Sequence, residues 1–258
     1  MILFVHGMGS HGKDFWRVWA GNLLPELSAL GISVREENCG GVYYDDLVPR
    51  RAGLSEAEAR ALKEELKALA VFEFSRHSHR GLISNFKQAV RKWAEAVVSN
   101  FGDIFTYLYL EKTHRAVNER VYEALAAALE PVTLIGYSLG SLVAYCALKE
   151  NLQAAGATGH LIMVGSPLFW FRHGVGEHAG FAGKPAAGRF TNIAGIWDIA
   201  WPQKVPELLA GLDESVEFVI DPLDPVSGHQ KYFFQKKSLA LIASAVAKGW
   251  LNGSRLTG

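Results

Sequence analysis

Val132-Thr133-Leu134-Ile135-Gly136-Tyr137-Ser138-Leu139-Gly140-Ser141 is the stretch that decides the fold. Its first half is an apolar, β-rich run, and residues 141–152 continue with a helical pattern. A Gly-x-Ser-x-Gly pattern therefore lies where a strand meets a helix. A serine at such a junction needs a sharp turn that lifts its hydroxyl out of the sheet, and the small residues two positions away relieve crowding. The context predicts that Ser138 is a nucleophile; a glycine-rich turn without a chemical role is the alternative.

Apolar β-rich runs alternate with helical stretches on both sides of this motif. The expected strands are 2–5, a second strand beginning at 32–34, 132–136, 160–164, 190–197 and 216–220. The expected helices include 14–30, 114–130, 141–152 and 236–251. We expect the second strand to run into a loop at Gly40-Gly41. This alternation is typical of a mostly parallel sheet of about six strands with helices on both faces, and it predicts one α/β domain over residues 1–258.

The alternation breaks down between about residues 50 and 130. Ser55-Glu56-Ala57-Glu58 has the pattern of a capping box that opens a helix to about residue 70, and a second helical block covers 82–111. We therefore predict a helical insertion at 50–112, lying over one end of the sheet as a cap or lid. A fixed cap is favoured over a mobile lid, because Glu95 and Asp103 interrupt the apolar pattern.

With these features the chain resembles the α/β-hydrolase superfamily, and within it the lipase- and serine-esterase-like branch. The resemblance covers the strands and motifs from residue 2 to about 250, apart from the insertion. It implies an α/β-hydrolase fold and a chain order of nucleophile, acid and histidine, each after a successive strand.

The turn His6-Gly7-Met8-Gly9 follows the first strand and resembles the oxyanion loop of that superfamily. The match implies that the backbone N–H groups of Met8 and Leu139 bind the oxyanion of a tetrahedral intermediate. His6 itself is expected to be a structural histidine that shapes the turn, so the functional prediction concerns the backbone of the loop.

The resemblance also calls for a histidine after the last strand, and His229 occupies that place, just after Gly228 and before a helix. An imidazole there is able to accept the serine proton at neutral pH. His160, His173 and His178 are the competing histidines, but they fit the expected position and chain order less well.

Asp198 ends the fifth expected strand, where this fold places the carboxylate that orients the histidine. Asp221 and Asp224 remain alternatives, since both follow the sixth strand and lie near His229 in sequence. An aspartate at the end of a strand is also common in turns that have no catalytic role.

Phe169, Trp170 and Phe171 follow the fourth strand, so they belong to the same end of the sheet as Ser138. Ligands of open α/β sheets bind beyond the carboxyl ends of the strands. These aromatic residues are therefore candidates for an apolar wall that contacts substrate, with ordinary packing under the insertion as the alternative.

Composition narrows the function further. Lys+Arg and Asp+Glu both total 26, and this balance argues against a nucleic-acid partner. Metal-ligand motifs and glycine-rich nucleotide fingerprints are absent from the sequence, so we expect no metal and no cofactor. Cys39 and Cys146 are compatible with free thiols or with a single bridge. The chain lacks a long apolar run and an apparent signal segment, which predicts a cytoplasmic location without stable membrane insertion.

Together these features predict a serine hydrolase that cleaves a small-molecule or lipid-like carboxylic ester through an acyl-enzyme. Acyl transfer, or thioester or amide hydrolysis, by Ser138, Asp198 and His229 is the alternative within enzymes. A non-catalytic binding protein is the alternative from another class, although the presence of all three residues in order argues against it.

Overall fold

The computed structural model describes residues 1–48, 102–201 and 203–253, together with a few positions between 55 and 64. In these residues, six strands form one sheet in the order β2-β1-β3-β4-β5-β6, and every neighbouring pair is parallel. The strands are β1 (Ile2–Val5), β2 (Cys39–Val42), β3 (Val132–Tyr137), β4 (Thr158–Val164), β5 (Arg189–Ile196) and β6 (Glu214–Val219). The predicted α/β class with a six-stranded parallel sheet is confirmed.

Helices cover both faces of this sheet. They are α1 (Phe15–Ala29), α2 (Gly102–Tyr109), α3 (Glu111–Ala126), α4 (Leu139–Glu150), α5 (Arg172–Ala179), α6 (Val205–Leu208), α7 (Pro225–Gln230) and α8 (Lys236–Gly253). Helices α1 and α8 pack together on one face, whereas α3, α4 and α5 pack on the other.

Two hydrophobic clusters result, one on each face of the sheet. The apolar residues of β1 contribute to both clusters. Ile2 and Phe4 point into the cluster beneath α1 and α8, whereas Leu3 and Val5 point into the cluster beneath α4. Successive side chains of a strand alternate between faces, so a strand covered on both sides needs apolar residues at every position.

The register brings the carboxyl ends of the central strands to one edge. Val5 of β1 lies beside Gly136 of β3, and Val164 of β4 lies beside Ile193 of β5. The segments that follow these strands therefore meet at the same edge, including the turn from His6 and the nucleophile candidate Ser138.

The second strand was predicted wrongly. It consists of Cys39–Val42 and pairs with β1, whereas Ile32 and Val34 only pack partly buried against the cluster beneath α1. The expected Gly40-Gly41 loop belongs to this strand, because both glycines pair with β1. A Cβ at Gly41 would lie 2.6 Å from the Trp16 ring, so the glycine lets α1 pack closely against the strand. Pairing and close packing outweigh the weak strand propensity of glycine.

Most of the predicted insertion at 50–112, including most of the expected helix to about residue 70, lies outside the described residues, although Glu56, Ala57, Arg60, Ala61 and Glu64 are described and helical. Its end is described continuously, and there Ile104, Tyr107 and Leu108 of α2 are buried and α2 packs against α3 and α5. Both cysteines are free and buried. Within the described portion of the chain, no helix has both the length and the apolar character needed to cross a membrane.

Candidate active site

Ser138 lies at the turn between β3 and α4, and its residue is 1 % exposed. Its φ of 52° places a non-glycine residue in the left-handed region. The flanking glycines make the turn possible, because a Cβ at Gly136 would lie 2.5 Å from the Gly140 carbonyl oxygen. A Cβ at Gly140 would overlap the carbonyl oxygens of Val5 and His6. The Gly-x-Ser-x-Gly pattern therefore reflects close backbone packing at the end of β1 and β3.

His229 lies in the short helix α7, where its Nε2 atom is 2.8 Å from Ser138 Oγ. Asp224 caps this helix by accepting a hydrogen bond from the Ser227 N–H, and Pro225 occupies its first turn. The Tyr137 hydroxyl donates a hydrogen bond of 2.6 Å to the His229 carbonyl oxygen. The capping by Asp224 and Pro225 therefore places His229 on a helical turn.

Asp198 follows β5 and lies next to His229, with 2.9 Å between its Oδ1 atom and His229 Nδ1. The carboxylate side chain is fully buried. Oδ1 also accepts from the Ala200 N–H at 2.5 Å, while Oδ2 accepts from the Tyr232 hydroxyl at 2.6 Å and from Gln203 Nε2 at 3.3 Å. Both oxygens are therefore hydrogen-bonded, which is what a buried carboxylate needs.

The two alternative aspartates are engaged elsewhere. Asp221 forms an ion pair with Lys231 at 2.8 Å and accepts hydrogen bonds from the N–H groups of Leu223 and Asp224. Asp224 caps α7. The structure therefore brings together Ser138, His229 and Asp198, and gives Asp221 and Asp224 local structural roles.

These contacts fix the direction of the hydrogen bonds. Because the Asp198 carboxylate accepts, His229 Nδ1 carries the proton of that contact. His229 Nε2 is then the acceptor for the Ser138 hydroxyl proton. The three side chains form one chain of hydrogen bonds that runs from an alcohol through an imidazole to a buried carboxylate.

Backbone strain is concentrated at this edge of the sheet. Among the described residues, the non-glycine residues with positive φ are Ser138, Trp197 at 71° and Lys204 at 44°. Trp197 immediately precedes Asp198, in a turn closed by a hydrogen bond of 3.3 Å from the Asp198 N–H to the Gly195 carbonyl. Residues in sparsely populated backbone regions cost free energy and are concentrated at functional sites.

His6 shapes the turn after β1, as predicted. Its Nδ1–H donates to the Gly7 carbonyl at 2.8 Å, and its Nε2 accepts from the Tyr44 N–H at 3.2 Å. The Tyr44 ring stacks on the imidazole at 4.0 Å between centroids. Burial lowers the pKa of His6 to about 3, so the ring is neutral at neutral pH.

The backbone of this turn lies against the nucleophile candidate. A Cβ at Gly7 would be 2.9 Å from Ser138 Cβ, and Met8 follows directly. The Gly9 N–H donates to Asp103 Oδ2 at 3.1 Å, which anchors the turn to α2. On the other side, Leu139 is the first residue of α4, so its N–H has no acceptor within the helix. The role of the Met8 and Leu139 N–H groups as oxyanion donors stays a prediction.

Phe169, Trp170 and Phe171 are buried in the cluster beneath α4. The Phe171 ring meets Phe105 edge to face at 5.4 Å, and Trp170 Nε1 donates to the Ala200 carbonyl at 3.1 Å. The segment therefore packs against α2 and against the loop that carries Asp198. A contact with substrate stays a prediction for these three residues.

The competing histidines lie elsewhere. His173 is exposed. His160 is buried with its Nε2 atom 2.8 Å from Thr191 Oγ1, and burial lowers its pKa to about 4. His178 stacks on His114 with 3.7 Å between the ring centroids.

His114, Glu150 and His178 bring potential metal-ligand atoms within 4.8 Å of one another. However, the two stacked imidazole planes are only 13° apart with 3.7 Å between the ring centroids, so their in-plane lone pairs lie in nearly parallel, separate planes and do not converge on a common point. His114 Nε2 is 2.7 Å from Glu150 Oε1, and its Nδ1 faces the Tyr107 carbonyl. The contacts of this cluster are those of a hydrogen-bonded structural group that joins α3, α4 and α5.

Sequence reasoning missed Tyr232 and Gln203, which contact the Asp198 carboxylate. Neither residue belongs to a motif, and their side chains meet Asp198 only through the packing of the segments after β5 and β6. The space that receives the Tyr232 ring is left by glycines, but that relation is visible only in three dimensions.

Comparison with known proteins adds no family assignment: no protein-family model matches the chain, and no curated protein matches it. The protein is therefore classified by its own fold and by the geometry of its site. It is an α/β protein with a six-stranded parallel sheet and a hydrogen-bonded Ser-His-Asp arrangement at the carboxyl edge of that sheet.

Proposed function

We propose that the protein is a serine hydrolase of the α/β-hydrolase superfamily that cleaves a carboxylic ester through an acyl-enzyme. The hydrogen-bonded chain from Ser138 through His229 to Asp198 carries this proposal. A nucleophile and its base within about 2.6–3.2 Å, with the base oriented by a third group, are the signature of an activated nucleophile.

Acylation follows from this geometry. Ser138 Oγ attacks the carbonyl carbon of the ester while His229 Nε2 takes the hydroxyl proton. Asp198 stabilises the imidazolium that forms. The tetrahedral intermediate collapses, the bond to the alcohol breaks, and His229 returns the proton to the leaving oxygen. The product of this half-reaction is an ester between the acyl group and Ser138.

Deacylation repeats the sequence with water as the nucleophile. His229 Nε2 takes a proton from water, the hydroxide attacks the acyl-enzyme carbonyl, and the proton passes to Ser138 Oγ as the acid leaves. In both half-reactions the backbone N–H groups of Met8 and Leu139 donate to the oxyanion. One such donor is typically worth about 10²–10³ in turnover, because it acts where charge develops in the transition state.

The proposal is tested with p-nitrophenyl esters of increasing acyl length, comparing the wild type with Ser138→Ala. We expect hydrolysis by the wild type, preceded by a burst of p-nitrophenol if deacylation is the slower step, and none by Ser138→Ala. Exposed Ser33 offers the matched control, and Ser33→Ala should keep full activity. Equal hydrolysis by Ser138→Ala would overturn the proposal. So would the absence of hydrolysis throughout the series together with no reaction of thioesters or amides.

A further inference from the structure

Tyr232 occupies a specific place behind the Ser-His-Asp arrangement. Its residue is fully buried, and its hydroxyl donates a hydrogen bond of 2.6 Å to Asp198 Oδ2. The same hydroxyl oxygen accepts from the Gly195 N–H at 2.7 Å. The phenol therefore links the backbone of β5 to the oxygen of Asp198 that does not face His229.

The fold leaves room for this phenol at two glycines. A Cβ at Gly165, just after β4, would lie 2.7 Å from the Tyr232 ring and 3.3 Å from Asp198 Oδ2. A Cβ at Gly195 in β5 would lie 2.7 Å from the Tyr232 hydroxyl. Gly165 and Gly195 thus let the backbone pack directly against the phenol, so the ring has little freedom to move away from Asp198.

Gln203 contacts the same carboxylate oxygen. Its Nε2 atom is 3.3 Å from Asp198 Oδ2, and its Oε1 atom is buried without a hydrogen-bond partner among the described residues. Turning the amide over would place the carbonyl oxygen against the carboxylate, so Asp198 fixes the orientation of Gln203. Leaving a buried acceptor unpaired costs free energy, and the contact with Asp198 offsets part of it.

We propose that Tyr232, assisted by Gln203, is a positioning residue for the reaction proposed above, on which this inference rests. A hydrogen bond from a hydroxyl to a carboxylate is short and strong, and it fixes the rotation of the carboxylate plane. With Oδ2 held by Tyr232, Oδ1 faces His229 Nδ1, and the imidazole keeps Nε2 directed at Ser138 Oγ. Tyr232 acts through Asp198 and does not touch the reacting atoms.

The test compares Tyr232→Phe with Tyr145→Phe. Tyr145 is a buried tyrosine whose hydroxyl donates to the Gly180 carbonyl at 2.9 Å, so its variant removes a buried hydroxyl away from the site. In Tyr232→Phe we expect kcat for the best ester to fall by about 10- to 100-fold with KM nearly unchanged, because the loss is one of orientation. Tyr145→Phe should keep the kcat of the wild type.

A spectroscopic readout separates positioning from a structural role. The proton on His229 Nδ1 faces a carboxylate, so it gives a far-downfield proton resonance, which His229→Asn would remove. We expect this resonance to move in Tyr232→Phe and to stay in place in Tyr145→Phe. Gln203→Met, which keeps the volume of the side chain, is the second variant if Tyr232→Phe does not fold, and it should move the resonance in the same direction.

The positioning role would be overturned if the wild type is active and Tyr232→Phe changes neither the kcat nor the resonance. The resonance does not depend on turnover. If the wild type hydrolyses no substrate while Tyr232→Phe still moves the resonance, the proposed function fails and the link from Tyr232 to Asp198 stands.

Discussion

His229 Nε2 lies 2.8 Å from Ser138 Oγ, although the two residues are 91 positions apart in the chain. Ser138 follows β3 and His229 follows β6, and two strands separate β3 from β6 in the sheet. The contact arises because α7 extends back over the carboxyl edge, where the Ile199 N–H donates to the Pro225 carbonyl at 3.2 Å. The loop that carries Asp198 therefore also holds the helix that carries His229.

Replacing Asp198 by Asn tests the role of the carboxylate. The amide occupies the same volume but favours the wrong imidazole tautomer, so we expect kcat to fall by about 10⁴-fold while the fold is kept. Asp46→Asn is the matched control, since Asp46 forms an exposed ion pair with Arg120. A decrease of less than tenfold in Asp198→Asn, measured with the best ester, would contradict the assignment of Asp198.

Gly140→Ala tests the packing of the turn at Ser138. The added Cβ overlaps the carbonyl oxygens of Val5 and His6, so we expect the free energy of unfolding to fall by about 3 kcal/mol or more. Gly21→Ala is the control, because Gly21 is exposed inside α1 with open space around it. That variant should gain up to about 1 kcal/mol from helix propensity. Urea unfolding measures both, and equal stability of Gly140→Ala and the wild type would show that the turn is built differently.

Gly7→Ala tests the proposed oxyanion turn. A Cβ there meets Ser138 Cβ at 2.9 Å, so the backbone that leads to Met8 has to move away from the nucleophile. We expect kcat to fall by about 10²–10³-fold, the typical worth of one oxyanion donor. Gly12→Ala lies nearby with open space around it and should keep full activity. Equal kcat values for the two variants would remove Met8 from the proposed mechanism.

The buried neutral His6 makes stability depend on pH. Its pKa is about 3 in the folded protein and near 6.5 when unfolded, so the unfolded chain takes up a proton first as the pH falls. The free energy of unfolding should therefore decrease from about pH 6.5 towards pH 3. His160, with a pKa of about 4, adds a decrease of the same sign.

The contribution of His6 is isolated by comparing variants. His6→Asn removes the titrating group and should make the decrease in unfolding free energy shallower between pH 6.5 and pH 4. His173→Asn changes an exposed histidine and should leave the slope of the wild type. Urea unfolding at a series of pH values measures all three proteins. Identical slopes in the wild type and His6→Asn would show that His6 is not held neutral.

The parts of the fold that could be predicted from sequence are those with a local signal. The apolar run before Ser138, the glycines around it and the helical pattern after it all lie between residues 132 and 152, and the structure has the expected strand-turn-helix there. The alternation of strands and helices likewise predicts a parallel sheet, because the crossover between two parallel strands usually contains a helix.

The parts that could not be predicted depend on contacts distant in sequence. Gly40 and Gly41 look like a loop in sequence, but both pair with β1, and α1 packs against Gly41. The choice of Asp198 over Asp221 and Asp224 depends on how the segments after β5 and β6 fold together. Tyr232 has no signal of its own, since its hydroxyl reaches Asp198 only through the gap left by Gly165 and Gly195.

The most direct test of the central claim is to label the folded protein with a fluorophosphonate and to locate the adduct by peptide mass spectrometry. This probe reacts with an activated serine and requires no knowledge of the natural ester. We expect one adduct on Ser138, formed rapidly in the wild type and at least about 10³-fold more slowly in His229→Ala, which lacks the base. An adduct on another residue, or labelling of Ser138 at the same rate in His229→Ala, would contradict the central claim.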